Sequence, residues 1–259
     1  MRDNLRRVIF VSLFLLVSLT LSGCQTLRVA RLWLPPGMSG MERDASGFVI
    51  EEPVMQSDVS EVKALKEQAT RRLAGVWPVR ASDPELWICR SDVCNQRLGG
   101  GSPLGQSFGY SRTLLSPGGR TVEILAHELW HAEFWHRIGL MNVSKVPRWF
   151  DEGLAVWISQ DPRYDEAMYQ RVLAQGIAPP SLNTLLSFKD WDAAIGRYGD
   201  HLKATDSEAI HVVYPTAGHE VRRWLNIVGV EGLRRMVNEL ASGADFSTVY
   251  AALEQEATR

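Results

Sequence analysis

The stretch Thr121-Val-Glu-Ile-Leu-Ala-His127-Glu128-Leu-Trp-His131-Ala-Glu-Phe-Trp-His136 decides how this chain is read. It contains no Gly or Pro and is rich in helix-compatible residues, which predicts a helix from about Thr121 to Ile138. On a helix, positions i and i+4 are neighbours, about 5–6 Å apart at Cβ. His127 and His131 therefore point their imidazoles at one ion from adjacent turns. Glu128 is rotated by about 100° and sits on the edge of the same face. There it can hold a metal-bound water without itself being a ligand.

Working outward, the helix is expected to stop near Gly139, and Val146-Pro-Arg-Trp-Phe-Asp151-Glu152-Gly-Leu-Ala-Val-Trp-Ile-Ser159 follows after a short loop. Pro147 suits the first turn of a second helix. Trp149, Phe150, Leu154, Val156, Trp157 and Ile158 make that helix largely buried. A buried carboxylate without a partner is costly, so Glu152 is expected to be paired or to bind metal. Asp151 reads instead as a capping or solvent-facing acid of the first turn, favoured there by the helix dipole. A catalytic zinc site needs three protein ligands and an open position, and Glu152 is the candidate third ligand.

HExxH followed after about twenty residues by Trp-Phe-x-Glu-Gly-Leu-Ala resembles the gluzincin metallopeptidases, in particular the peptidase MA-like group. The resemblance implies an α+β, zincin-like fold, with a small N-terminal sheet and the active-site helix followed by a mostly helical C-terminal half. It makes His127, His131 and Glu152 the ligands of one Zn2+ per chain and Glu128 the general base that activates the bound water against a peptide bond. Gly153 would let the second helix approach the first closely. The metzincin pattern needs a third His six residues after the second, but that position is Arg137. His136 is thus expected at the surface or behind the ligands.

The C-terminal third resembles the helical half of the same group more loosely. It runs Tyr214-Pro-Thr-Ala-Gly-His219, a helix, Val228-Gly-Val-Glu-Gly-Leu, another helix, then Gly243 and a last amphipathic segment to Leu253. The resemblance implies an oxyanion donor from this half, with Tyr214 the first candidate and His219 the second. Glu123, Glu133 and Asp151 are the candidates for orienting the ligand imidazoles. By resemblance an extended substrate lies antiparallel to an edge strand above the helix, and Phe108 to Leu115 is the expected strand. His201 and His211 lack motif support and read as surface.

From the start, residues 1–24 read as a targeting segment. Arg2, Arg6 and Arg7 precede an apolar run from Val8 to Leu21, and Leu21-Ser22-Gly23-Cys24 closes it. The tetrapeptide resembles the bacterial lipoprotein signal, which implies lipid on Cys24 and an exported chain. Gln25 after the Cys favours the outer membrane, with the domain facing the periplasm. An ordinary signal peptide with an incidental Cys is the alternative. Residues 25–57, with Pro35-Pro36-Gly37 and little periodicity, read as a tether. The metallopeptidase domain is expected over 58–253, divided into 58–160 and a helical 161–253.

Within it, Val59, Val62, Leu65, Ala69 and Leu73 predict an amphipathic helix ending near Gly75. Glu85 to Arg90 and Phe108 to Ser116 read as strands, and Leu98 to Gln106 as a mobile loop. Cys89 and Cys94 remain once Cys24 is set aside, and in an exported chain they are expected to form a disulfide closing a hairpin-like loop. Asp161 to Gly199 is expected to hold one helix, Tyr164 to Ala174, and short helical pieces, with no chemistry assigned.

A net charge of −2 over 259 residues argues against a nucleic-acid binder. The expected partners are a protein or peptide substrate and, through the lipid, a membrane. Two other classes compete. One is a non-catalytic envelope lipoprotein using a zincin fold as a binding or assembly module, which would be free to lose Glu128. The other is a structural zinc site, but such sites are four-coordinate and rich in Cys, and no Cys accompanies this His pair.

Overall fold

The computed structural model describes residues 28–199 and 209–259. The targeting segment with Cys24, and His201, lie outside them. The fold is α+β: a small mixed sheet at the N-terminal end, then helices. Five strands, β1 (Met41–Arg43), β2 (Val49–Glu51), β3 (Glu85–Ile88), β4 (Gly105–Phe108) and β5 (Arg112–Leu115), lie in the order β1-β2-β3-β5-β4. The three inner strands are parallel to one another, and the edge strands β1 and β4 pair antiparallel to their neighbours.

Strand side chains alternate between faces, and here both faces are covered. Ile50, Leu86, Ile88 and Leu115 join the main core under the helices, while Val49, Trp87 and Leu114 join a second cluster with Leu32, Met41 and Leu98. Part of the expected tether is therefore fold. Leu32, Met41, Val49 and Ile50 are fully buried, and β1 and β2 extend the sheet. Strands of three residues are too short to leave an alternating signature; Pro36–Ser39 forms a helical turn ahead of β1, and Gly47 turns the chain between β1 and β2.

The disulfide between Cys89 and Cys94 is present, with its Cα atoms 5.5 Å apart. It does not staple a hairpin. It ties the end of β3 to a short helix, α2 (Asp92–Arg97), whose N-cap Ser91 accepts from the Cys94 N–H. The expected single strand from Phe108 to Ser116 is likewise corrected. Gly109, at φ 62°, turns the chain between β4 and β5, so the edge strand is Gly105–Phe108, drawn partly from the expected loop, and β5 is interior.

The amphipathic helix α1 (Gln56–Ala74) packs on the motif helix α3 (Val122–Ile138). Thr121 Oγ caps α3 by accepting the Ile124 N–H at 3.2 Å, and Gly139 ends it at φ 79°. Helices α4 (Arg148–Ser159), α7 (Val213–Ala241) and strand β4 enclose α3 on its remaining sides. Helices α5 (Glu166–Ala174), α6 (Phe188–Tyr198) and α8 (Phe246–Ala257) pack around α7. Gly153 does permit a close approach, though to a different helix from the one expected. A Cβ there would lie 2.6 Å from the Ala217 carbonyl and from Val221, so the contact it allows is α4 on α7. Among the described residues no helix is long and apolar enough to cross a membrane.

Candidate metal centre

Helix α3 presents His127 and His131 one turn apart, and α4 brings Glu152 across to them. The two Nε2 atoms are 3.1 Å apart. Glu152 Oε2 lies 3.1 Å from His127 Nε2 and 3.6 Å from His131 Nε2. Ligand atoms held at about 2.0–2.1 Å around a tetrahedral zinc are separated by about 3.3 Å, so this triangle has the right size for that ion. Glu152 is buried, and its Oε2 makes no well-formed hydrogen bond among the described residues. A buried acceptor aimed at two imidazole nitrogens is one that a bound cation would satisfy.

The acid behind the ligands is Asp151. It was expected to cap the helix or face solvent, but it is buried: Oδ1 is 2.9 Å from His131 Nδ1, and Oδ2 accepts from Trp135 Nε1 at 3.0 Å. The other two candidates turn elsewhere. Glu123 pairs with Arg72 at 2.8 Å. Glu133, fully buried, accepts the Ala81 and Ser82 N–H groups and pairs with Arg137.

Arg148 escaped the sequence reading. Its guanidinium pairs with Asp151 Oδ2 at 2.5 Å and with Glu152 Oε1, leaving Oε2 for the His pair. It also lies over the Phe188 ring at 4.0 Å. The signal was there: an Arg three and four residues before two acids lies beside both on a helix.

The charges of this cluster are coupled. Burial alone would lower the His131 pKa, but the carboxylates of Asp151 and Glu152 outweigh it and push it up to about 10. Burial alone would raise Glu152, but Arg148 and then His131 hold it well below the usual carboxylate range. Asp151 is lowered the same way, by His131 and Arg148 against its burial.

Glu128 lies at the floor of the cleft, and Ser107 Oγ on β4 donates to its Oε2 at 2.8 Å. Strand and helix touch closely here because residue 105 has no side chain. A Cβ at Gly105 would be 2.7 Å from Glu128 Cγ and 2.8 Å from Ile124 Cγ2.

Tyr214 and His219 part company. The Tyr214 ring lines the cleft 6.1 Å from the His127 ring, stacked on Tyr164 and edge-on to Trp191. Burial first, and the Glu152 charge second, hold its phenol well above the ordinary tyrosine range, so it stays an O–H donor. His219 is away from the cleft, stacked on Tyr169 at 3.9 Å with Nδ1 3.0 Å from Glu166. His136 is exposed against Tyr110. His211, expected at the surface, is buried beside Tyr164.

The cleft encloses about 260 Å³. Its outer wall is Tyr164, Phe188, Trp191 and Asp192, from the segment to which no chemistry was assigned. Single aromatics in short helices carry no motif, and only the packing of α6 against α4 and α7, and of the turn Pro162–Tyr164 against α7, brings them here.

Comparison with known proteins finds no matching family model, no similar curated protein and no similar solved structure.

Proposed function

We propose that this chain is a zinc-dependent peptidase of the gluzincin type, lipid-anchored in the bacterial envelope. The observation that carries the reading is the convergence of His127, His131 and Glu152 on one point, with Glu128 beside it and open to the cleft. An edge strand over the motif helix and a tyrosine from the helical half support a zincin-like arrangement. When bound, zinc supplies Lewis acidity and brings the pKa of a coordinated water to about 7.

The chain's own groups do the rest. Glu128, oriented by Ser107, takes the proton of the attacking water and passes it to the leaving amine. Tyr214, kept protonated, donates from its phenol to the substrate oxygen that gains charge. Among the described residues β4 pairs with β5 alone, so its outer edge offers backbone groups to an extended peptide. A purely structural ion is disfavoured, because among the described residues the site has three candidate ligands and faces a cleft.

Elemental analysis of the full chain, His131→Ala and Glu128→Gln tests the proposal alongside a peptide-hydrolysis assay. We expect about one zinc in the wild type and in Glu128→Gln, none in His131→Ala, and hydrolysis only by the wild type. Equal hydrolysis by wild type and Glu128→Gln would remove the catalytic role. Absence of metal from zinc-reconstituted wild type would remove the enzyme reading and leave the binding module.

A further inference from the structure

The short distance between Cys24 and the folded chain has a mechanical consequence. With residues 25–57 as a tether the domain would swing free of its anchor, but Arg28, the first described residue, already lies in a helical turn. Four Cα–Cα steps separate Cys24 from Arg28, a reach of at most about 15 Å. The segment that follows carries exposed apolar side chains: Trp33 is 51% exposed, Leu34 43% and Met38 72%. Arg28 and Arg31 are exposed beside them. Helical turns advance about 1.5–2 Å per residue, so Trp33 lies within about 10 Å of Arg28 along the chain.

We infer that the segment 28–38 is a membrane-docking surface, whose occupant is the lipid layer that holds the acyl chains of Cys24. The inference rests on the lipid-anchor reading and is independent of catalysis. A leash of about 15 Å is shorter than a domain of this size is wide, so the face that carries it abuts the bilayer. Tryptophan suits that position, since its ring is apolar and its N–H is satisfied among headgroups. Arg28 and Arg31 would be attracted to an anionic lipid surface.

The same segment touches the cleft's own strand. Trp33 packs edge-on to Phe108 at 6.0 Å, and the Arg112 guanidinium lies over Trp33 at 5.1 Å. Phe108 ends β4, whose other three residues line the cleft. A four-residue strand spans about 10 Å, so the docking surface lies one short strand from the centre.

The full acylated chain is reconstituted into vesicles of phosphatidylethanolamine and phosphatidylglycerol, with a spin label at Met38→Cys or, as control, at Met141→Cys, a position 86% exposed. Relaxation by oxygen, which concentrates in lipid, is compared with relaxation by a water-soluble nickel chelate. We expect the label at 38 to favour oxygen several-fold and the label at 141 to favour the chelate. A water-like label at 38, with acylation verified by intact mass, overturns the proposal. A label shielded from both reagents overturns it too, by showing a protein partner, such as a second copy, on this face. An unacylated Cys24 removes the premise while leaving the metal-centre reading intact. Hydrogen exchange on the unmodified chain checks for disturbance by the new cysteine: residues 31–40 should exchange more slowly in vesicles than in Cys24→Ser in solution, and residues 140–145 equally.

Discussion

Asp151 Oδ1 lies 2.9 Å from His131 Nδ1, on the opposite side of the ring from the atom that faces Glu152. The carboxylate accepts the Nδ1–H and so would leave Nε2 free for a metal ion, fixing both tautomer and ring plane. Asp151→Asn keeps the shape and an acceptor for Trp135 while removing the charge. We expect zinc affinity to fall about 10–100-fold with the fold intact. Chelator competition measures it, and an unchanged affinity would reduce Asp151 to packing.

Metal loading should be coupled to protons. With His131 pushed up to about 10, the metal-free centre holds a proton on that residue at pH 7. Zinc displaces it, so about one proton is released per ion and affinity rises about tenfold per pH unit across the neutral range. Calorimetry in buffers of different ionisation enthalpy counts the protons, and a count of zero contradicts the prediction. Without metal the linkage runs the other way. A folded pKa raised from 6.5 to about 10 contributes stability that is fully present below pH 6.5 and lost as pH rises through about 10.

Gly105→Ala separates catalysis from metal binding. The new methyl meets Glu128 Cγ and Ile124 Cγ2 inside van der Waals contact, so β4 lifts or Glu128 turns away from Ser107. We expect a stability loss of about 1–3 kcal/mol, normal zinc content and a large loss of hydrolysis. Retained hydrolysis at full rate would show that the strand does not position the base.

Tyr214→Phe removes only the phenolic hydroxyl. If that hydroxyl donates to the developing charge, kcat falls about 100-fold or more while KM and zinc content stay near wild type. A thermal shift with unchanged kcat would make Tyr214 a packing residue between Tyr164 and Trp191.

How much of this was legible in the chain follows from range. The motif helix, its cap at Thr121 and its stop at Gly139 are written in consecutive residues, and so is the i, i+4 geometry of His127 and His131. Placing Glu152 opposite them required the buried character of α4. Asp151 was legible as one of three acids able to orient an imidazole but not as the one that does so, because acids in a first helical turn are ordinary and only the facing of α4 on α3 reveals its partner. Gly153 was legible as a close contact but not as a contact with Ala217 on α7, some sixty residues downstream. β1 and β2 are three residues each, below the length at which alternation registers.

Nearly every side chain of α3 from Ile124 to Trp135 is buried, and His127 is almost so. Apart from its cleft side and the exposed His136 the helix has no wet face, so its central amide protons should exchange only when the whole domain opens. The three candidate ligands are then as durable as the fold itself, and a bound ion would enter and leave through the cleft, not by local melting of the helix that presents two of them.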